Sequence, residues 1–392
     1  MSQQLINHSP DLKRLRDAGY EMELVGGFLS IHHVPYLDAQ KQISYGTLVT
    51  SLTLASPLNT TRPDTHVIHF IGENPCNTDG SVISSIQHNN NSTQLAANLI
   101  VSRSFSNKPT NGYPDYFQKV KRYTDIISAP AKFIDENVTE KTFKVIADTE
   151  NGSPFQYIDT NSSRAGIDML NDKFSGQQIA IIGLGGTGAY VLDLVSKTPV
   201  ANIHCYDGDS FDQHNAFRAP GAASIADLEL NAKKADYFTA VYSRMHKGVV
   251  AHDYYVKSTN LCELDTISYV FVCVDKNSIR KMITDYLASK GIPFIDVGLG
   301  VNMVGDKLIG AVRVTSATID KNDHLPNRIF AADNEDNDYA TNIQIADLNC
   351  LNAALAVMKW KKLTGFYVDL EQEYHSSYSI GVSKIFNEDV TS

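Results

Sequence analysis

Gln178-Ile179-Ala180-Ile181-Ile182-Gly183-Leu184-Gly185-Gly186-Thr187-Gly188 is the stretch that decides the fold. A short apolar strand runs into a G-x-G-x-x-G turn, and Gly186–Lys197 continues with a helical pattern. Glycines in that context permit a tight turn and a close backbone approach to a phosphate. The helix N-terminus then presents free N–H groups to the anion. The competing reading is a glycine turn needed only for helix–strand packing. Asp207 follows the next apolar run, Ile203–Tyr206, nineteen residues beyond Gly188. An acid placed there can bind ribose hydroxyls. Both an NAD-dependent dehydrogenase and an ATP-using enzyme would carry these two features, so they specify a nucleotide and not a reaction.

Outward from this turn the rhythm is that of a parallel α/β sheet. Leu228–Met245 reads as a helix, Tyr269–Val274 as a strand, Asn277–Lys290 as a helix and Pro293–Val297 as a strand. Val301–Val304 and Leu308–Val314 form an expected antiparallel pair around Gly305-Asp306. The stretch 318–342 is long, polar and poorly patterned, as functional loops often are. Ile343–Lys362 reads as a long helix with Gly365 as its stop signal.

The texture differs before about residue 160. There Asp11–Ala18 reads as a short helix, and Glu21–Val34 as two strands around Gly26-Gly27. Tyr45–Leu54 and His66–Ile71 read as further strands, and Tyr113–Ser128 and Val138–Asp148 as helices. Gly72–Gly80 and Gln87–Thr93 read as loops. The expected organisation is a smaller α+β domain over 1–160 and a Rossmann-like α/β domain over 161–392.

Composition narrows the class. The chain has 392 residues, enough for two domains, with 43% hydrophobic and 20% charged residues, the balance of a packed protein. Its longest apolar runs fall far short of the ~20 residues of a membrane span, and the first residues lack the apolar core of a signal peptide. The expectation is a cytoplasmic protein with no membrane partner. Net charge is −10, from 34 basic and 44 acidic residues. That disfavours non-specific nucleic-acid binding, which phosphate attraction drives. Five scattered cysteines (Cys76, Cys205, Cys262, Cys273, Cys350) form no C-x-x-C pair, which argues against structural zinc and a disulfide framework. Cys205, Cys273 and Cys350 lie in apolar segments and read as core thiols. His66 and His69 alternate across a strand and so make a poor metal pair. Cys76, after Pro75, is a minor candidate for a reactive thiol.

Tyr206-Asp207-Gly208-Asp209-Ser210-Phe211-Asp212-Gln213-His214-Asn215-Ala216-Phe217-Arg218 adds a pattern of its own. It resembles the D-x-D-x-V-x-x-x-N-x-x-R signature of the ThiF/MoeB/ubiquitin-activating family, and the resemblance extends over about residues 164–365. It implies a ThiF-type adenylation domain using ATP and Mg²⁺ to adenylate the C-terminal carboxylate of a ubiquitin-like protein or peptide. That would be the first step of a bacterial ubiquitin-like conjugation pathway. A relative activating a small molecule, a tRNA base or a short peptide is the alternative, with the dehydrogenase less favoured. By resemblance, Gly183, Gly185 and Gly188 form the nucleotide loop, Asp207 is the ribose ligand and Asp209 the second acid. Asn215 and Arg218 match the phosphate-contacting pair. Lys234 matches the family lysine, with Lys233 as its neighbour and alternative. Asp275 matches the aspartate that helps hold Mg²⁺, and Arg164 the arginine supplied across a homodimer interface.

The sequence also departs from the family. Ala219 stands where many relatives carry Gln, and Pro220–Ala223 lengthens the step to Lys234. The expected crossover loop, near 318–342, holds no cysteine. An acyl-adenylate could therefore pass directly to a partner such as a conjugating enzyme. It could instead pass to a hydroxyl (Ser316, Thr318 or Thr341, with His324 as base), or to Cys350 or Cys76 after rearrangement. The resemblance gives residues 1–160 a role in recruiting a substrate or conjugation partner.

Overall fold

A computed structural model describes residues 2–146, 153–330 and 343–390. The chain divides into two compact units, Met1–Ile146 and Ala147–Ser392.

The first unit is built on a six-stranded antiparallel sheet. Its strands are β1 (Met22–Val25), β2 (Phe28–Leu37), β3 (Ile43–Ser51), β4 (Val67–Ile71), β5 (Gln87–Asn89) and β6 (Arg103–Ser106), in the order β1-β2-β3-β4-β6-β5. The helix Tyr116–Ile134 starts where the Asp115 carboxylate accepts from the Gln118 N–H at 2.6 Å, an N-cap. Its Tyr116, Val120, Tyr123 and Ile127 recur at helical spacing and pack into the same core as Leu29, Ile31, Phe70 and Phe105 of the sheet. Lys119, on this buried side, is fully enclosed; its Nζ donates to Thr50 Oγ1 at 2.7 Å and to the Thr65 carbonyl at 2.8 Å.

Two expectations fail here. Gln87–Asn89, read as loop, is the edge strand β5, paired with β6 despite its polar sequence. Val138–Asp148, read as helix, is not helical over 138–146, and its last two residues lie outside the described ones. Three tertiary contacts hold the segment out of helical form. Lys141 bridges Tyr20, Phe143 (φ 47°) donates its N–H to the Gly19 carbonyl, and Glu140 pairs with Lys132.

The second unit carries an eight-stranded sheet: β7 (Gln178–Ile182), β8 (Asn202–Tyr206), β9 (Val249–His252), β10 (Tyr269–Val272), β11 (Phe294–Val304), β12 (Lys307–Ala317), β13 (His375–Ser379) and β14 (Lys384–Glu388). The order is β9-β8-β7-β10-β11-β12-β13-β14. The pairs β9·β8, β8·β7, β7·β10 and β10·β11 are parallel, and β11·β12, β12·β13 and β13·β14 are antiparallel. The α/β expectation holds. Strand order reverses between β7 and β10, and such a switch point opens a crevice at the carboxyl ends of the strands. Strands β9, β13 and β14 were not anticipated.

The expected helix Leu228–Met245 is two helices, Ile225–Glu229 and Lys234–Tyr242. Asn231 adopts φ 47°, which a helix cannot contain, and Lys233 is extended and bridges Ser210. The break places Lys234 at a fresh helix start, with its N–H donating to the Asp209 carbonyl at 2.9 Å. The helix Ala346–Leu363 ends before Gly365 (φ 74°), as its sequence suggested. It buries Asn349 and Asn352 completely, beside Ala353, Ala356 and Trp360. Among the described residues, no helix is long and apolar enough to cross a membrane.

Candidate nucleotide site

The glycine turn leaves β7 in a conformation that ordinary side chains cannot follow. Gly183 has φ 91°, and a Cβ there would sit 2.7 Å from the Cys273 carbonyl oxygen. At Gly188 a Cβ would come within 1.8 Å of the Gly183 carbonyl, so the helix can start only with a glycine there. A Cβ on Gly185 would meet nothing within 4 Å, and that residue lines the cleft. The turn is thus fixed on its protein side and open on the other.

The cleft has a volume of about 1260 Å³, ample for a nucleotide with room beyond it. Asp207, at the end of β8, is buried. It accepts from the Leu184 N–H at 2.7 Å and the Asp209 N–H at 2.8 Å, so it ties the acid pair to the glycine loop. Burial raises its pKa above the usual carboxylate range, against the pull of Lys234. Lys234, only 7% exposed in its side chain, reaches Asp209 at 2.8 Å and Asp207 at 4.0 Å. Burial works to raise the Asp209 pKa too, but hydrogen bonds from Lys234 and Tyr255 outweigh it and hold that carboxyl below its ordinary value. The Tyr255 hydroxyl, donating to Asp209, is pushed up to about 12 chiefly by that bond. Lys233 points elsewhere, its Nζ donating to the Gly208 carbonyl at 2.7 Å.

Asn215 sits on the short turn of helix Gln213–Ala216, and its Oδ1 accepts the Asp212 N–H at 2.9 Å. Its Nδ2 and the Arg218 Nε are buried without a hydrogen-bond partner among the described residues. An orphaned donor on a residue that lines a cleft, as Arg218 does, is what a bound anion satisfies. Arg218 lines the cleft; Asp275, just beyond β10, lines it too and is exposed. The donor set fits a nucleoside triphosphate, and an exposed carboxylate at this end suits Mg²⁺, which keeps waters and phosphate oxygens alongside one or two acids. Among the described residues, no group of three or more His, Cys, Asp or Glu could hold a metal by itself.

Residues 162–317 match the ThiF family, and residues 10–160 match a domain of unknown function, DUF6791. Residues 162–317 are a ThiF-family domain. The curated proteins contain no match to the chain. Solved structures similar to it include Escherichia coli MccB, 16% identical over 70% of this chain and 80% of that one, with a TM-score of 0.45. Another is the microcin C7 biosynthetic enzyme MccB in complex with N-formylated MccA, 16% identical over 58% and 70%, TM-score 0.46. A third is the E. coli tRNA N6-threonylcarbamoyladenosine dehydratase TcdA, 16% identical over 52% and 92%, TM-score 0.39.

Within the ThiF-family domain, the structure brings Gly183, Gly185, Asp207, Asp209, Arg218, Lys234 and Asp275 to one cleft. Gly188 and Asn215 are not among the described residues lining it. Arg164 is not among the described residues lining the cleft; it is exposed on the helix Thr160–Ala165, which Asp159 caps and Gly166 ends.

The cysteines and the hydroxyls near the loop lie in varied surroundings. Cys350 is exposed and not core, because the helix turns Asn349, Asn352 and Ala353 inward instead. Cys273 is half-buried at the cleft, Cys262 is exposed, and Cys76 is buried, with burial pushing its thiol up. His324 Nε2 lies 3.0 Å from the Ser316 backbone carbonyl, not its hydroxyl, so it is not placed as base for Ser316. The Thr318 hydroxyl faces Tyr374, and Thr341 lies outside the described residues.

Sequence reasoning missed several residues that line the cleft or support those that do. Asn349 accepts from the Thr187 hydroxyl at 3.0 Å and donates to the Arg218 carbonyl at 3.4 Å. Asn352 donates to the Gly298 carbonyl at 3.0 Å. Asp296, fully buried on β11, lies between Arg280 at 2.9 Å and Arg313 at 2.7 Å. The apolar stripe that marks 343–362 as a helix hides its two asparagines. The signal available for the charged group was Asp296, an acid in an otherwise apolar strand run.

Proposed function

We propose that this chain uses ATP to adenylate the C-terminal carboxylate of a peptide or ubiquitin-like protein. One observation carries the reading. A glycine loop open to the cleft, the acid pair Asp207/Asp209, and Arg218, Lys234 and Asp275 share one crevice at a topological switch point. Asp207 would hold the ribose, and the loop N–H groups would receive phosphate oxygens. Arg218 and Lys234 would stabilise the negative charge that builds as pyrophosphate leaves the α-phosphorus. Asp275 would hold Mg²⁺, which neutralises phosphate charge when bound. A carboxylate is already ionised at neutral pH, so the attacking group needs no protein base.

The same reading gives the 1–160 segment the role of recruiting the acyl substrate or a conjugating enzyme, and gives Arg164 a place in the site of a second copy. It also sets the reaction in the cytoplasm. ATP–pyrophosphate exchange tests it. Labelled pyrophosphate should enter ATP only when the chain, Mg²⁺ and a suitable carboxyl-terminal peptide or ubiquitin-like protein are all present. Exchange that needs no acyl substrate, or none with any candidate, would refute it.

A further inference from the structure

The half of the cleft farther from Asp207 is built differently. Asp207 follows β8, whereas Asp296 lies on β11, three strand spacings away across β7 and β10, or roughly 14 Å. Asp296 is wholly enclosed, and two arginines share it. Arg280, on the helix Asn277–Lys290, is 8% exposed, and its Nη2 donates to the Val274 carbonyl at 2.5 Å. Its Nε is 2.9 Å from Asp296 but not aligned for a hydrogen bond, so that contact is Coulombic only. Arg313, on β12, donates through Nη1 to Asp296 at 2.7 Å and to Thr315 at 3.3 Å. Its guanidinium lies over Gly298, its partner in register. A Cβ on Gly298 would come within 2.5 Å of the Arg313 Nε, so a glycine there makes room for the arginine.

Two guanidinium groups against one carboxylate leave one net positive charge on this wall. The neighbouring His375 adds none, since burial, with Arg328 and Arg313 nearby, lowers its pKa to about 4. Arg328 is occupied by Glu388 and Asp389. Arg280, Arg313 and His375 also line a smaller hollow that opens beside the main cleft. Arg313, half-buried and held by Asp296, is pre-oriented to meet a planar oxyanion, and the more deeply buried Arg280, whose fork is also held by Asn277 and the Val274 carbonyl, adds its charge from behind.

We propose that the Arg280–Asp296–Arg313 cluster is the subsite that receives the free carboxylate of the acyl substrate, and that Asp296 is a positioning residue holding both arginines. The proposal rests on the adenylation reading above. Bringing a second anion beside a triphosphate is opposed by charge repulsion, and a cationic wall on the far side of the switch point offsets it. A nucleotide anchored at Asp207 with its phosphates over the glycine loop occupies the other half of the cleft.

The test uses the full chain without ATP. An N-terminally fluorescein-labelled pool of random pentapeptides with free carboxyl termini is titrated by anisotropy, next to the same pool capped as C-terminal amides. The unmodified chain should bind the acid pool at least tenfold more tightly. Arg313→Gln should abolish that preference, and Arg313→Lys should keep part of it. Affinity for a labelled ATP analogue should change less than twofold in both variants, and a matched melting curve should show each still folded. No preference in the unmodified chain, a preference that survives Arg313→Gln, or loss of ATP-analogue binding instead would each overturn the proposal; the last would give the arginines to the triphosphate. Carboxylate preference without pyrophosphate exchange would leave this subsite standing and remove the adenylation reading.

Discussion

Asn349 and Thr187 meet at 3.0 Å although 162 positions separate them. The contact joins the glycine loop to the helix Ala346–Leu363, and the same asparagine holds the Arg218 carbonyl. A Cβ on Gly186 would come within 1.9 Å of its amide, so loop and helix are packed as closely as a glycine allows. Asn349→Ala should cost about 2 kcal/mol, because it orphans buried partners and leaves a void. Pyrophosphate exchange should fall tenfold or more, mainly through a higher KM for ATP, because the loop and Arg218 would no longer be fixed. A chemical melt and steady-state exchange check both parts; full activity would show the contact to be incidental.

Arg218→Ala and Asp275→Ala address the chemistry directly. Both residues line the cleft without forming its core. Each variant should melt within a few degrees of the parent yet lose exchange by roughly a hundredfold or more, the range seen when one charge-stabilising donor is removed. Exchange that survives in both would mean that the site has been assigned to the wrong residues.

Lys119 gives the first unit a pH signature. Burial lowers its pKa from 10.5 to about 8, with Asp64 opposing weakly. Below pH 8 the lysine is protonated whether the chain is folded or unfolded. Between about 8 and 10.5 the unfolded chain binds more protons, so this group makes stability rise with pH, by on the order of 3 kcal/mol over the window. Lys119→Met should flatten that slope. Urea titrations of parent and variant at pH 7.5, 9 and 10.5 measure it, and parallel curves would contradict the assignment.

Cys350→Ala is expected to leave exchange within twofold of the parent, since this thiol is exposed and is not among the described residues lining the cleft. Denaturing gels without reductant supply the second reading. A thiol-sensitive acyl adduct in the parent that vanishes in the variant would make Cys350 the acceptor after all.

That Gly183, Gly185, Asp207, Asp209 and Arg218 would share one cleft was legible because their spacing is local. The turn at 183–188, the acid at 207 and the stretch 207–218 each lie within a few residues of a strand end, where spacing carries information. Lys234 was legible by position, but the helix break that aims it was not, because Asn231 looks like any polar helix residue until its φ is known. Arg280, Asp296, Arg313, Asn349 and Asn352 went unread for the opposite reason. Their partners are set by strand register and helix docking between segments far apart in the chain. The same limit explains β5, β13 and β14, whose polar sequences carry little strand signal and which sheet pairing alone defines.

The paired asparagines also set an order on manufacture. A ribosome releases β7, β8 and β10 long before it reaches Asn349 and Asn352, so the glycine loop emerges with Thr187 and the Gly298 carbonyl still lacking their later partners. Chains interrupted between Asp275 and that helix would carry every signature residue from Gly183 to Asp275, yet an unbraced loop. Premature termination or proteolytic loss of this one helix should therefore yield fragments that match the family by sequence but handle no nucleotide.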